Sequence, residues 1–276
     1  MPLLCGEPVS GGMLDEGAMP ARAWRDLTTI DVATRDMAHA IAVLPVAAIE
    51  QHGPHLPLGT DAIIAEGYLA RVAALVPDEL DVLTLPVQAI GKSDEHDGFA
   101  GTLTFSTATA LSAWTEIASG IHRAGCRKLV IVTSHGGNSG LIDLVAGDAR
   151  ARFGMLVVTT SWSRLGYPEG LVPDAEIRHG IHAGGIETAL MLAIRPDLVR
   201  TERAQNFEPR TVAIERDYAL LRAGRPAAFA WKAQDLHPSG AIGNATLGTV
   251  EVGEALLDHG ARLFVDLLDE VARFDL

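Results

Sequence analysis

The sequence predicts an α/β fold built on a mostly parallel sheet with helices covering both faces. Two observations carry this reading. Four apolar runs of strand length, rich in Val, Ile, Leu and Thr, show little polar alternation, the pattern of strands buried on both faces. Between them lie segments whose apolar residues recur at three and four, the helical period. Strand, helix and strand in this succession imply right-handed βαβ units.

The first strand is read in AIAVLPVAAI (40–49), and the helical pattern DAIIAEGYLARVAALV (61–76) follows it. DVLTLPVQAI (81–90) is the second strand, followed by a helix over TATALSAWTEIASGIHRAG (107–125) that ends at Gly125. KLVIVT (128–133) is the third, followed by the helix SGLIDLVAGDARARFG (139–154), closed by Gly154. MLVVTTSW (155–162) is the fourth, and further helices are predicted over 183–194 and 247–273. Residues 201–240 have weaker periodicity and many charges; they read as an excursion or short helix near a subunit contact. Residues 1–25 mix Gly, Pro, Glu and Asp and are expected to form a partly flexible N-terminal extension on a single domain, 26–276.

Composition narrows the partners. The chain has 276 residues, 48% of them hydrophobic, enough to bury a substantial core. Thirty-five acids against 22 Lys plus Arg leave a net charge of −13 with the bases scattered, which disfavours nucleic acid or an anionic membrane as partner. A small molecule or peptide fits better. Two cysteines, Cys5 and Cys126, offer no disulfide framework or thiolate metal site. The first 25 residues lack the basic start and apolar centre of a signal peptide, and no apolar stretch is long enough to span a bilayer. A soluble, cytoplasmic protein is expected.

The functional signal begins in EQHGPHLPLGTD (50–61), a run crowded with ionisable side chains and broken by two prolines and two glycines, hence a loop. It leaves the carboxyl end of the first strand, the edge at which open α/β sheets bind ligands. Glu50 and His52 are two apart, so their side chains share a direction; Asp61 returns at the next helix start. The second strand is followed by Glu95 and His96 in GKSDEHDGFAGTLTF, and the third by His135, Gly136 and Gly137 in SHGGNSG. HAGGIET, opening a later helix, adds His182 and Glu187, which reach one crevice if the helix begins near His182 or just after it.

Singly, each residue has an ordinary reading. Asp61 suits an N-cap, His135 a buried turn, Glu187 a solvated helix face, Glu95 and His96 a surface, and His55 its own loop through hydrogen bonding. Gly136 and Gly137 suit an anion cradle or a plain strand-to-helix turn, and SHGGN lacks a full phosphate-loop pattern. Their joint fall at one sheet edge points instead to a metal site. Imidazoles and carboxylates without thiolate suit Zn, Mn or Fe, and a two-metal centre would use a carboxylate as bridge.

The blocks EQHGPHLPLGTD, GKSDEHDGFAGTLTF, SHGGN and HAGGIET, in this order over about residues 40–190, resemble the ordered signatures of the creatininase family of metal-dependent hydrolases. The resemblance implies a three-layer αβα sandwich, two divalent ions per chain, oligomers that are commonly hexamers, and hydrolysis of a non-peptide or cyclic amide C–N bond by a metal-activated water. It makes Glu50, Asp61 and His135 ligands of one metal and His52, Asp61 and Glu187 ligands of the other, with Asp61 bridging. His182 matches a histidine near the scissile bond, the first choice for proton shuttle, with His96 second. Gly136, Gly137 and Asn138 are expected to present donors to the substrate oxygen, with Glu95 beside them as a substrate contact.

Four positions depart from the family pattern. Creatininase proper carries an aromatic and then a metal-binding glutamate where Gly136 and Gly137 stand, which argues against creatinine itself as substrate. Other members share the double glycine, among them the peptidase of mycofactocin maturation, so a deformylase or peptidase acting on a biosynthetic intermediate is the alternative. Gly185 stands in place of a usual acid, and Ser134 in place of a usual glycine. A non-catalytic metal-binding protein is disfavoured because every expected ligand is present.

Overall fold

Four parallel strands form one sheet in the computed structural model, which describes residues 22–276. They are β1 (Ile41–Val46), β2 (Val82–Thr84), β3 (Lys128–Thr133) and β4 (Leu156–Ser161), in the order β2-β1-β3-β4. Along the chain run the helices α1 (Thr29–Thr34), α2 (Thr60–Leu75), α3 (Thr107–Arg123), α4 (Ser139–Phe153), α5 (Asp174–His179), α6 (Gly185–Ile194), α7 (Arg210–Asp217), α8 (Ala233–Leu236) and α9 (Val250–Arg273). No described helix is long and apolar enough to cross a membrane.

Alternation along the strands divides the interior in two. Ile41, Val43, Val130 and Val132 pack with Tyr68 of α2, Met191 of α6 and Phe264 of α9. Ala42, Leu44, Leu129 and Ile131 point the other way, against Trp114 of α3 and Ile142 of α4. This is the expected three-layer αβα arrangement. Both faces of the sheet are covered, so all six residues of β1 are buried.

The structure refines several expected boundaries. β2 is much shorter than its apolar run because Pro86 cannot donate to a ladder. The chain nevertheless stays beside β1, with Leu85 donating to Val43 (2.9 Å) and Gln88 to Pro45 (2.9 Å). α6 begins at Gly185, three residues beyond His182. Residues 201–240 hold α7, α8 and short two-residue strands rather than one short helix. Of the expected N-terminal extension, residues 1–21, with Cys5, lie outside the described residues. The remainder is tied down: the Arg22 guanidinium donates to the carbonyls of Val76, Pro77 and Leu80 at the end of α2.

Candidate metal centre

The carboxyl ends of β1 and β3 bring the predicted residues together. The loop after β1 buries Glu50 and His52 completely, and Asp61 enters from the first turn of α2. His135 follows β3, and His96 comes from a 3-10 turn, Asp94–His96. Beside a triad of Glu50, His96 and His182, two more result, Glu50, Asp61 and His135, and His52, His182 and Glu187, each with its donor atoms within 4.8 Å of one another. Asp61 joins them, with Oδ1 3.4 Å from His52 Nε2 and Oδ2 3.5 Å from His135 Nδ1.

Hydrogen bonds assign the ring protons. His52 Nδ1 donates to the Glu50 carbonyl (3.1 Å), His135 Nε2 to the Lys92 carbonyl (2.9 Å) and His182 Nε2 to the Gln51 carbonyl (2.6 Å). In its neutral form each of these rings therefore turns its other, unprotonated nitrogen to the cluster, the usual arrangement around metal-binding histidines. His96 differs. The Gln51 side-chain amide donates to its Nδ1 (2.7 Å), which leaves the ring proton on Nε2, 3.4 Å from Glu50 Oε1. The Gln51 amide orientation is itself fixed, because its oxygen accepts from Gly53 N–H (2.9 Å) and its nitrogen donates to the Gly240 carbonyl (3.1 Å). His96 is thus a donor into the cluster, although its position alone would also group it with Glu50 and His182.

His182 and Glu187 converge without the early helix start that the sequence reading required. The His182 backbone pairs with Ile242 in both directions (3.2 and 2.7 Å), and Ala183 adopts φ 52°, a conformation L side chains rarely take. The Ala183 N–H donates to Glu187 Oε2 (2.5 Å). Behind this turn the buried carboxylate of Glu176 accepts from the N–H groups of Gly185 (2.6 Å) and Asn244 (2.9 Å). A Cβ on Gly184 would stand 2.2 Å from Glu176 Oε1, so the double glycine of HAGGIET leaves room for that carboxylate.

Electrostatics show what the donor set lacks. Burial raises the Glu187 pKa to about 7 against the pull of His52, with Asp61 and Glu50 repelling a further charge. Asp61 is raised as well, by burial and by Glu50. Burial opposes charge on His52 and His135, but Asp61 and Glu187 bring His52 to about 9, and Glu50 and Asp61 bring His135 to about 10. Glu50 is held low despite burial, chiefly by His135. His96 falls to about 4 through burial, and His182 falls well below its usual value through burial and its neighbours His52 and His96. Glu50 Oε1, Asp61 Oδ2 and His52 Nε2 are buried without any hydrogen-bond partner. Among the described residues no lysine or arginine pairs with Glu50, Asp61 or Glu187. Orphaned acceptors around mutually repelling carboxylates fit divalent cations.

The remaining predicted residues fall into place differently. Gly136 and Gly137 form the 3-10 turn that leads into α4, at the cavity wall. A Cβ on Gly137 would meet Glu95 Oε1 at 2.3 Å and His135 Nε2 at 2.4 Å, so the Glu95 carboxylate occupies the space a side chain there would need. Burial raises the Glu95 pKa, partly offset by His135. Asn138 does not line the cavities at the cluster. Its amide oxygen accepts from Lys92 N–H (3.0 Å) and its nitrogen donates to the Ala47 carbonyl (3.0 Å), a clip between β1 and the loop after β2. His55 holds its loop, with Nε2 3.0 Å from the Thr188 hydroxyl and its ring stacked on Phe207.

Sequence reading missed Gln51, Glu176 and Ser93, whose hydroxyl donates to Glu50 Oε2. It also missed the end of β4. Trp162, Arg164 and Tyr167 line a cavity of about 360 Å³ that shares Ser134, His135, His182 and Glu187 with a smaller one of about 190 Å³ over the cluster. The strand-end test applied to the first three strands would have reached Trp162.

Buried imidazoles and carboxylates gathered at the carboxyl edge of this αβα sandwich define a metal-dependent hydrolase of amide C–N bonds. Residues 25–268 match the family model for creatininase, described as creatinine amidohydrolase, and the chain belongs to that family. The mycofactocin precursor peptide peptidase of Mycobacterium tuberculosis H37Rv is 32% identical over 241 residues, 84% of this chain and 82% of that one. The creatinine amidohydrolase of Pseudomonas putida is 28% identical over 246 residues, 83% of this chain and 89% of that one. Among solved structures, a creatininase mutant complexed with creatine superposes with a TM-score of 0.74 at 25% identity, covering 92% of this chain and 100% of that one. A Zn-Zn type mutant and a manganese creatininase superpose with TM-scores of 0.72 and 0.71, each at 25% identity, covering 91% of this chain and 98% of theirs.

Proposed function

We propose that the chain hydrolyses a small non-peptide or cyclic amide at a dinuclear centre, with Glu50, Asp61 and His135 holding one ion and His52, Asp61 and Glu187 the other. The observation that carries this reading is the set of buried donor atoms left without partners, with Asp61 in the Glu50–Asp61–His135 triad and its Oδ1 3.4 Å from His52 Nε2 of the His52–His182–Glu187 triad. When bound, divalent ions would supply an acidified water and a polarised substrate carbonyl; Zn, Mn and Fe all suit mixed nitrogen and oxygen donors. The chain's own residues supply the rest. His182, with Nδ1 free and 3.6 Å from Glu50 Oε1, takes the nucleophile's proton and delivers it to the leaving nitrogen. His96 directs its Nε2 proton into the same crevice and steadies developing negative charge. Gly136 and Gly137 present backbone N–H groups at the start of the run into α4, where first-turn donors lack helical acceptors.

A second reading is favoured by one finding. The relatives at 32% identity are peptidases of a peptide precursor, which extends the candidate substrates to peptide bonds in a dedicated intermediate. A panel of lactams, formamides and short peptides, assayed with added Zn or Mn, separates the two. Creatinine is expected to be a poor substrate, since Glu95 fills the space where creatininase proper carries a metal-binding glutamate. Creatinine turnover near a typical enzymatic rate of about ten per second would overturn this assignment.

A further inference from the structure

We propose that Arg164 forms an anion subsite at the active-site cavity, so that the substrate is an amide carrying a single carboxylate. The inference rests on the amidohydrolase reading and deepens it. The cavity of about 360 Å³ joins the cluster through His182 and Glu187, and Arg164 is its sole Lys or Arg among the described residues. In this chain of net charge −13 the arginines Arg71, Arg152, Arg178, Arg195 and Arg273 each reach a carboxylate, whereas Arg200, Arg225 and Arg262 reach none among the described residues and lie outside the cavity that Arg164 lines. The exposed Arg164 guanidinium has no side-chain partner among the described residues.

Its placement is built. Arg164 rides on the 3-10 turn Trp162–Leu165, where the Ser161 hydroxyl accepts its backbone N–H (3.2 Å) and Gly166, at φ 84°, donates back to Ser163 (3.2 Å). Two further donors share the wall. The Tyr167 hydroxyl makes no hydrogen bond among the described residues, and the indole N–H of Trp162, 5% exposed, has no partner either. Tyr167 lines the same cavity as Glu187, and its phenol is a donor at neutral pH. One guanidinium forks onto one carboxylate, whereas a phosphate dianion would need more positive charge than a wall beside Glu187 provides.

The test compares N-acetylated dipeptides bearing a free C-terminal carboxylate with their C-terminal amides, on the metal-loaded protein, by tryptophan fluorescence titration and by hydrolysis rate. Wild type is expected to favour the acid about 10- to 30-fold, the range of one charge-assisted pair. Arg164→Leu should bring the acid-to-amide ratio, taken within the variant, to about one, and Arg164→Lys should restore part of the preference. A preference that survives Arg164→Leu, or none in wild type, overturns the subsite, the former because the metal centre itself would then be binding the carboxylate. If binding selectivity follows Arg164 while no probe is hydrolysed, the subsite stands and the peptide-bond reading fails.

Discussion

Asp61→Asn isolates the proposed bridge. The substitution keeps side-chain volume but replaces one carboxylate oxygen with an N–H donor, and the two Asp61 oxygens face different imidazoles, His52 and His135. Both ion sites should weaken together. Metal stabilises the fold by RT ln(1 + [L]/Kd), so each tenfold loss of affinity at one site removes about 1.4 kcal/mol. In a chain of this size that corresponds to about 3–6 °C of melting temperature. A hundredfold loss at both sites therefore removes about 5.5 kcal/mol of the metal-dependent gain, roughly 11–22 °C. The metal-free protein should behave oppositely. Burial and Glu50 raise the Asp61 pKa, so the ionised carboxylate destabilises the empty cluster at neutral pH, and Asn relieves it. Differential scanning fluorimetry with and without Zn or Mn, alongside metal analysis, measures both effects. A variant that keeps two tightly bound ions and the full metal-induced shift would refute the bridge.

Other substitutions probe the remaining roles. His182→Gln should leave metal content near wild type while lowering turnover by roughly 10²- to 10⁴-fold, and the deficit should shrink with less basic leaving nitrogens; parallel loss of metal would make His182 a ligand, as its free Nδ1 beside His52 and Glu187 also permits. Gly137→Ala should lower metal affinity about 10- to 100-fold, because its Cβ would meet His135 Nε2 at 2.4 Å and the Lys92 carbonyl at 2.8 Å; affinity equal to wild type would show that Glu95 and His135 yield freely. For pH, the folded pKa values of His52 and His135, about 9 and 10, lie above the ordinary 6.5, so their stabilising contribution is full below about 6.5 and is lost as pH rises through 9–10. Metal-free protein should accordingly lose melting temperature between pH 6.5 and 10 while metal-loaded protein holds. Equal slopes in thermal melts of the two forms would contradict the assignment.

The strands and the long helices were legible because burial on both sides of a parallel sheet leaves uninterrupted apolar runs, and crossover helices keep one apolar stripe. The same logic places Glu50, His52, Asp61 and His135 at one sheet edge, since strand ends are addresses in the sequence. What was not legible depends on contacts remote along the chain. Glu176 serves the site only through Gly185 and Asn244, the latter 68 residues away, and the two acceptor roles of Gln51 are fixed by Gly53 nearby and His182, 131 residues on. Asn138 illustrates the same point: next to a glycine pair it reads as a substrate donor, while its amide bonds Lys92 and Ala47, 46 and 91 residues away. The kink at Ala183 breaks the helical register from which the His182 to Glu187 spacing was read, and a left-handed alanine has no sequence signature. Residues 201–240 gave weak periodicity because their helices and strands are too short to establish one.

The central claim, that this cluster is a divalent-metal centre driving amide hydrolysis, is tested most directly by stripping the purified protein with a chelator and titrating Zn or Mn back while counting bound ions and following the substrate panel. The account predicts two ions per chain, with hydrolysis absent from the stripped protein and returning in step with the ions. Full hydrolysis in protein that retains no metal, or a cluster that takes up none, would contradict it.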